Sequence, residues 1–445
     1  MRRIGWCVCW MIVASGVGIA ACANDADDQN APLSPPPDAS APVEASTASP
    51  EAATMVDAGD SALPDTKPRK VACATTPCAL QLSQHEGLAS NGSGFCALLD
   101  DGTVACWGTN LESQLGRDTT EMYSRSAQRV TGLTRVKSLQ KTCAIDEDGA
   151  AWCWGTGPFL QSTTSAFTTQ STPVHLPITP RVKRLSFAYD GNAAVGCAEV
   201  DTGFFCWGTN VYGHLGPQAF GTSASEVVGL REIALPPGAP ITKLEVAHAA
   251  FVLREDGTVL SWGNRITIGR PSSFSPDPEP YPMDLAPISA LDAIEDDACA
   301  VSQGVGYCWG TPISTDPVSA SSRALPGAIE MPEPLVDISA SSITVDSSTR
   351  LGEQRVCAVG VSGAVYCLGK NEEGQAGDPS FAHVVHPVAV QGLPAPAVAV
   401  KVTAATSCAL LTTGQVFCWG DDSFGGLGQG AVVGSSPTAL EVKLP

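Results

Sequence analysis

One phrase recurs seven times along the chain, and it restricts the possible folds more than any other feature. In its full form it reads Cys-Ala, four residues, Gly, three residues and Cys-Trp-Gly, as in residues 96–108. Successive copies begin 47, 54, 54, 48, 58 and 51 residues apart, at Cys96, Cys143, Cys197, Phe251, Cys299, Cys357 and Cys408. A period of roughly 50 residues with strand and turn signals is typical of a propeller blade rather than of a helical solenoid.

Each copy is predicted to form a β-hairpin. In the first copy two short strands flank Asp100-Asp101-Gly102, and Gly102 suits the left-handed position of a three-residue hairpin loop. This register places Cys96 directly opposite Cys106, within the Cα distance that a disulfide tolerates. We therefore predict six hairpin disulfides, namely Cys96–Cys106, Cys143–Cys153, Cys197–Cys206, Cys299–Cys308, Cys357–Cys367 and Cys408–Cys418.

Departures from the phrase support this interpretation. In the fourth copy Phe251 and Ser261 replace both cysteines together, as expected of two positions that act as a pair. In the third and fifth copies the cysteines are nine residues apart instead of ten, which predicts a hairpin loop one residue shorter. Trp follows the second cysteine position in six copies, and Leu368 does so in the other. We predict that these tryptophans pack in the core between adjacent sheets, with stacking on a carbohydrate as the alternative.

The first 21 residues are predicted to be a bacterial export signal. Arg2 and Arg3 precede an uncharged, mostly apolar stretch over residues 4–21. The residues before Cys22 resemble the lipobox of bacterial lipoproteins, whose peptidase cuts before a cysteine that carries lipid. The alternative is a plain secretory signal in which Cys22 is incidental. A spanning anchor is disfavoured, because about 18 residues is the lower limit for a helix that crosses a bilayer.

The cysteine count fits this processing. The chain contains 17 cysteines, and removal of Cys7 and Cys9 with the signal leaves 15. If Cys22 carries lipid, 14 remain, of which six hairpins use 12. The last two, Cys73 and Cys78, are predicted to form a seventh disulfide. So many cysteines are typical of an oxidising compartment.

Composition divides the chain into three parts. Residues 22–70 are rich in Ala, Ser, Pro and Asp and contain no aromatic residue, so they bury too little apolar surface to offset chain entropy. We predict a lipoprotein signal peptide over 1–21, a disordered tether over 22–70 and one propeller over 71–445. The predicted location is the bacterial cell envelope, through a lipid anchor, or otherwise outside the cell.

Charge and motifs limit the possible functions. The chain has 25 Lys and Arg against 45 Asp and Glu, a net charge of −20. This balance argues against nucleic acids and against anionic lipid surfaces, which are bound through clustered cations. None of the six histidines belongs to a recognised metal or catalytic motif. We therefore predict no cofactor, no metal site and no catalytic residue.

The residues that follow the phrase point to a known family. In the last copy Cys-Trp-Gly is followed by Asp-Asp-Ser-Phe-Gly-Gly-Leu-Gly at 421–428, and similar tails occupy 110–116, 210–216 and 371–377. Phrase and tail together resemble the regulator of chromosome condensation repeat, over about residues 79–445. The resemblance implies an all-β protein, a seven-bladed β-propeller of four-stranded blades, closed by strands from the two chain ends.

The function of that family is not expected to transfer. Its eukaryotic founder exchanges nucleotide on a small nuclear GTPase and docks on chromatin, which an exported acidic chain does not suit. We predict a monomeric, non-enzymatic envelope module that binds a protein or peptide through one face. One alternative is a propeller enzyme, a lyase or hydrolase acting on glycans with carboxylates at the channel mouth. Another is an inhibitor of a secreted enzyme, since a secreted bacterial propeller of similar repeat type inhibits β-lactamase.

Three copies carry a longer connection before the first cysteine position, at 83–94, 187–196 and 341–355. Because all blades share one topology, these insertions emerge on one face, which in repeat proteins is often the binding face. The alternative is tolerated drift in loop length. If the face binds a partner, the predicted contacts are His85, Tyr189, Asp190, Asn192, Arg350, Glu353 and Arg355.

Overall fold

The computed structural model describes residues 67–445 except 75, 87–92, 192, 218–222, 224, 286, 311–322 and 342–353. The predicted signal peptide, Cys22 and nearly all of the predicted tether lie outside the described residues. All regular elements of the described part are β-strands. No helix there is long and apolar enough to cross a membrane.

The strands form seven antiparallel sheets of four, which confirms the predicted fold class. By blade, they are β1 Ala79–Glu86, β2 Ser93–Leu99, β3 Val104–Thr109, β4 Tyr123–Arg129; β5 Val136–Gln140, β6 Cys143–Asp146, β7 Ala151–Gly157, β8 Thr168–His175; β9 Val182–Tyr189, β10 Ala194–Val200, β11 Gly203–Gly208, β12 Val228–Glu232; β13 Ile241–Val246, β14 Ala249–Arg254, β15 Val259–Gly263, β16 Asp277–Pro282; β17 Ile288–Ile294, β18 Asp297–Ser302, β19 Val305–Gly310, β20 Arg323–Ile329; β21 Leu335–Ala340, β22 Arg355–Gly360, β23 Val365–Gly369, β24 Val384–Ala389; and β25 Ala397–Val402, β26 Thr406–Leu411, β27 Val416–Gly420, β28 Ser436–Glu441.

The first strand of each blade, the inner strand, faces the centre of the ring and meets the inner strands of the neighbouring blades. The hairpin of the repeated phrase supplies the second and third strands. Each sheet places both of its faces against neighbouring blades. The second and third strands are therefore mostly buried on both sides, as in β14, β15 and β26, whereas fourth strands such as β12 and β24 are largely exposed.

The blades are joined by a recurrent hydrogen bond on one side of the ring. The amide at the start of an inner strand donates to the carbonyl oxygen of the hairpin-turn glycine in the preceding blade. Examples are Val136 N to Gly102 O at 2.9 Å and Ala397 N to Gly363 O at 2.8 Å. These glycines have positive φ, which explains why Gly occupies the turn.

The ring closes through the same bond and not through a shared blade. Ala79 N donates to Gly414 O at 2.8 Å, so blade 7 meets blade 1 as five other neighbouring pairs meet. The closure by strands from both chain ends, which the family resemblance implied, is therefore wrong for this chain. The physical reason is the phase of the repeat: the chain begins a blade with inner strand β1 and completes one with β28.

Residues 71–78 reinforce this closure. Ala72 N donates to Thr412 O at 2.7 Å and Ala74 N to Thr413 O at 3.3 Å, both in the last hairpin turn. The Cys73–Cys78 disulfide cross-links this segment immediately before β1. We call residues 71–78 the clasp.

The tryptophans of the phrase are core residues, as predicted. All six are at most 2% exposed. Indole nitrogens donate to carbonyl oxygens of the preceding blade, as in Trp154 Nε1 to Gln114 O at 2.8 Å and Trp262 Nε1 to His214 O at 3.0 Å. Each ring therefore fills the space between two sheets, and five of the six satisfy their one polar atom there; Trp419 Nε1 is the exception.

The cysteines of the six hairpins lie opposite each other in register, with Cα atoms 4.0–4.1 Å apart and sulfur atoms bonded. Phe251 lies opposite Ser261 in the same way. Where the spacing is nine, the turn has two residues, such as Gln303-Gly304 between Ser302 and Val305. The shorter loop inferred from the spacing is confirmed.

Candidate functional site

Strand direction determines which links share a face. Consecutive strands in a blade are antiparallel, so the link from first to second strand and the link from third to fourth strand emerge together. We call these the inner and outer links, and the face that they form the upper face. The hairpin turns and the junctions between blades form the lower face.

A cavity of about 240 Å³ opens at the centre of the upper face. The ends of inner strands and the inner links of several blades line it. Three of the residues predicted from sequence, His85, Tyr189 and Asp190, meet in this cavity. They come from blades 1 and 3. Asn192, Arg350 and Glu353 lie outside the described residues.

Arg355 does not fit the predicted contact role. It is the first residue of β22, and its side chain is fully buried. The guanidinium donates to backbone carbonyl oxygens of the next blade, Ala404 O at 3.3 Å and Thr406 O at 3.1 Å. Arg355 therefore binds blade 6 to blade 7 and offers no surface to a partner.

The centre of the site is His248, from the inner link of blade 4. Its Nε2 lies 3.0 Å from Asp190 Oδ2, and its Nδ1 lies 2.9 Å from Asp296 Oδ1. The ring of Tyr212 stacks on the imidazole with centroids 4.1 Å apart, and its hydroxyl donates to Asp190 at 2.6 Å. This cluster connects blades 3, 4 and 5.

Opposing effects determine the charge of His248. Burial by itself lowers its pKa, but the hydrogen bonds to Asp190 and Asp296 outweigh burial and raise the pKa to about 9. The ring is therefore an imidazolium at neutral pH, and both of its N–H groups donate to carboxylates. Burial, followed by the hydrogen bond to Asp190, also raises the pKa of Tyr212.

Beneath the cluster, the channel wall is held by ion pairs. Lys401 Nζ lies 2.9 Å from Asp292 Oδ1, and Lys243 Nζ lies 3.0 Å from Glu245 Oε1. Although burial alone raises the pKa of Asp292, Lys401 and Lys243 outweigh it and lower that pKa. Asp292 also accepts from Ala340 N at 3.2 Å, on the inner strand of the next blade. These contacts position the wall of the cavity.

Other buried polar groups of the cavity have no hydrogen-bond partner among the described residues. They are the two ring nitrogens of His85, Gln84 Oε1 and Gln114 Nε2. His85 is only 4% exposed, and burial lowers its pKa to about 3, so the ring is neutral.

Exposed apolar side chains are concentrated on the same face. Of the fourteen exposed large apolar side chains in the described part, eight lie on outer links of the upper face. The eight are Leu111, Met122, Phe167, Ile266, Phe274, Phe381, Val432 and Val433. Of the other six, four lie on fourth strands and two at the lower ends of strands. The upper face is therefore the apolar face of the ring.

Sequence reasoning missed His248, Tyr212 and Asp296. His248 belongs to no motif, and its link is among the short ones. A usable signal did exist: the inner links of neighbouring blades meet, and His248 and Glu295-Asp296 occupy that link in consecutive copies. Across the described ranges, no group of three or more His, Cys, Asp or Glu is arranged to hold a metal ion.

Comparison with known proteins agrees with this architecture. The family model of the regulator of chromosome condensation (RCC1) repeat matches residues 397–425, in blade 7. No curated protein has a significantly similar sequence.

Several solved structures are similar. Yeast RCC1 (Prp20), solved with Kap60, is 19% identical with a TM-score of 0.61, over 76% of this chain and 83% of that one. Human WBSCR16 is 17% identical with a TM-score of 0.60, over 77% and 95%. Prp20p from Saccharomyces cerevisiae is 18% identical with a TM-score of 0.58, over 76% and 85%. Identity this low establishes the fold alone.

Proposed function

We propose that this seven-bladed propeller of regulator of chromosome condensation repeats is a binding module that recognises a protein or peptide through its upper face. The observation that carries the proposal is the concentration of exposed apolar side chains on the outer links. Exposed apolar side chains concentrated on one face mark an interaction surface, and aromatic residues are enriched in interfaces. Phe167 and Phe274 are the large anchors that this face offers.

The cluster at the centre supports binding rather than catalysis. A general base needs a neutral imidazole with an available lone pair. His248 is protonated at neutral pH, and both of its nitrogens are engaged. Asp190 accepts from His248, from Tyr212 and from the backbone N–H of Ala193 at 2.7 Å. The cluster is a rigid centre for the face around it.

The similar structures agree with protein recognition as a general role. The yeast protein was solved bound to Kap60, and the structure of Prp20p was described together with its binding to Gsp1p and histones. No residue of those interactions is carried over to this chain. The acidic charge and the predicted export make a different partner the expectation here.

We also propose that the module acts in the bacterial cell envelope, held by lipid on Cys22. The supporting observations are the sequence of the first 22 residues and the fourteen paired cysteines of the propeller. A disulfide in every blade but one suits an oxidising compartment. Inhibition of a secreted enzyme would be one form of this binding, and would appear as lost activity of the captured partner.

Capture of partners from envelope extracts tests the proposal. The informative variant combines Phe167→Ser with Phe274→Ser on the upper face. Its matched control combines Leu325→Ser with Tyr281→Ser on fourth strands, where Tyr281 is as exposed as Phe274, at 63%. We expect the first variant to lose about tenfold in capture and the control to lose none, with unchanged melting temperatures. If only the control variant lost capture, the partner would bind the outer edge of the ring, at the fourth strands.

A second candidate is a glycan lyase or hydrolase, and one observation favours it. A histidine and a tyrosine converge with paired carboxylates, Asp190 and Asp296, at the channel mouth. Incubation with neutral and uronate-containing polysaccharides, followed by an assay of new reducing ends and unsaturated sugars, separates the two functions. The binding proposal expects no product. Product formation that His248→Gln abolishes would establish the enzyme instead.

A further inference from the structure

The mouth of the cavity is negatively charged. Among the described residues, six carboxylates and four cations line the cavity or pair with a group that lines it. The carboxylates are Glu112, Asp190, Glu245, Asp292, Glu295 and Asp296, and the cations are Lys141, Lys243, His248 and Lys401. Two negative charges therefore remain, within a protein whose net charge is already −20. A cation entering this mouth is attracted by both the local and the overall field.

Lys243 and Lys401 pair with Glu245 and Asp292, and the other two cations also have fixed positions. Lys141 Nζ donates to Phe187 O at 2.6 Å and to Val246 O at 3.0 Å, which ties blade 2 to blades 3 and 4. His248 is clamped by Asp190 and Asp296. Because both cations hold the wall together, neither is available to move toward the open mouth.

A second observation points to a ligand and specifies part of its chemistry. Gln84 Oε1 is an unpartnered acceptor and Gln114 Nε2 an unpartnered donor, and each side chain is at least nine-tenths buried in the cavity wall. A peptide group offers one N–H and one carbonyl oxygen, the complement of this pair. Leaving buried polar atoms unpaired costs about 1–3 kcal/mol each, which a bound peptide group would recover.

The size and rim of the cavity narrow the occupant further. At about 240 Å³ it is smaller than the ~300–1,000 Å³ of sites that take a whole small ligand, so it suits one side chain with its adjoining backbone. Tyr189 lies at the rim with Phe167 against it, ring centroids 4.8 Å apart. Aromatic rings of this kind pack along the methylene stem of a long cationic side chain.

Building on the proposed upper-face function, we infer that the channel mouth takes a lysine or arginine side chain presented on a peptide segment of the partner. Glu112, Asp190 and Glu295 attract the cationic group, and the rim aromatics cover its stem. Gln84 and Gln114 bind the adjoining peptide group. The partner is therefore a protein with a basic residue on an exposed loop or chain end.

Titration of the full-length protein with a capped lysine, Nα-acetyl-lysine N-methylamide, tests the charge requirement by ligand-observed NMR. We expect saturable binding that high salt weakens, and none for the isosteric norleucine amide. Glu112→Gln combined with Glu295→Gln should raise the Kd about tenfold. Glu330 is an exposed carboxylate at the lower face, and Glu330→Gln should leave the Kd unchanged. Equal binding of norleucine, or no effect of the double variant, overturns the inference.

Spermidine distinguishes a peptide from a free polyamine. Combining Gln84→Leu with Gln114→Leu should weaken binding of the capped lysine severalfold and leave binding of spermidine unchanged. Only the capped lysine brings a peptide group to these two side chains. Tighter binding of spermidine than of the capped lysine overturns the peptide assignment. If the Phe167 and Phe274 variant loses the partner while the Glu112 and Glu295 variant captures it normally, the proposed function stands and this inference fails.

Discussion

Nε2 of His248 lies 3.0 Å from Oδ2 of Asp190, and this contact joins the inner link of blade 4 to that of blade 3. On its other side, Nδ1 of His248 reaches Asp296 in blade 5. One charged ring thus holds three adjacent blades at the upper face. The charge of that ring should therefore matter for stability.

We expect a component of stability that is lost in alkali. His248 has a pKa of about 9 in the folded protein against 6.5 in a model peptide. Since the folded pKa is raised, its contribution is fully present below about pH 6.5 and is lost as the pH rises through about 9. Its size is on the order of 3 kcal/mol.

The charged and titratable groups around His248 are Asp190, Asp296, Glu295, Tyr212 and His214. Urea denaturation near pH 6 and near pH 10 measures the effect, because His248→Gln removes the titrating group. The variant should be destabilised near pH 6 and should show a smaller change between the two pH values. His386→Gln, an exposed histidine on β24, serves as the control. An unchanged pH dependence in His248→Gln would contradict the assigned charge.

The second prediction concerns covalent structure. Non-reducing peptide mapping should recover the six hairpin pairs and Cys73–Cys78, with none between blades. Each hairpin bridge closes about 11 residues, which stabilises the folded state by roughly 2–3 kcal/mol in the chain-entropy model. Replacing Cys96 and Cys106 together with Ser should lower the urea midpoint accordingly. A bridge found between two blades would show that the strand register is wrong.

The third prediction tests the closure of the ring at Gly414. Its φ is +82°, and a Cβ there would lie 2.2 Å from Cys78 Sγ in the clasp. Gly132 has a similar φ of +76° but nothing within 4 Å, so Gly132→Ala incurs only the backbone cost of about 1 kcal/mol. Gly414→Ala should cost at least about 2 kcal/mol more and expose the clasp to limited proteolysis. Equal stability of the two variants would mean that the clasp does not contribute to closure.

Local spacing explains which features of the fold were predictable. The Cys96–Cys106 register and the buried Trp154 follow from a hairpin and a period that lie within one repeat. The phase of the closure depends on which strand begins the first blade, and the residues before Cys96 do not specify that. The family resemblance therefore implied a shared blade that the chain does not form.

The site was only partly predictable for a related reason. His85, Tyr189 and Asp190 were found because insertions at one topological position must share a face. His248 and Asp296 are 48 residues apart in sequence and meet only because consecutive blades lie side by side. Arg355 was assigned wrongly because it ends an expanded link in sequence, whereas β22 begins there and buries its side chain.

The fourth prediction tests whether Arg355 contributes to stability rather than to partner binding. Its guanidinium is buried and donates to backbone carbonyl oxygens of blade 7, so Arg355→Met leaves those acceptors unpaired. We expect a loss of about 2–4 kcal/mol in unfolding free energy. Arg231→Ala, on the exposed face of β12, should lose less than about 0.5 kcal/mol. Partner capture per folded molecule should stay normal in both, and a specific loss in Arg355→Met would return this residue to the contact set.

The last prediction concerns the N-terminus. If residues 19–22 act as a lipobox, the mature chain begins at Cys22 and carries lipid. One acyl chain gives only marginal membrane binding, and stable anchoring requires more than one. Intact-mass analysis of protein from the membrane fraction should therefore show the mass of residues 22–445 plus a multiply acylated cysteine. Cys22→Ala should either release the protein from membranes or leave the signal uncut. Cys9→Ala, within the predicted signal, should leave both processing and anchoring unchanged. An unmodified N-terminus at any other residue would assign the chain to the plain secretory route, in which the propeller reaches its partner free in solution.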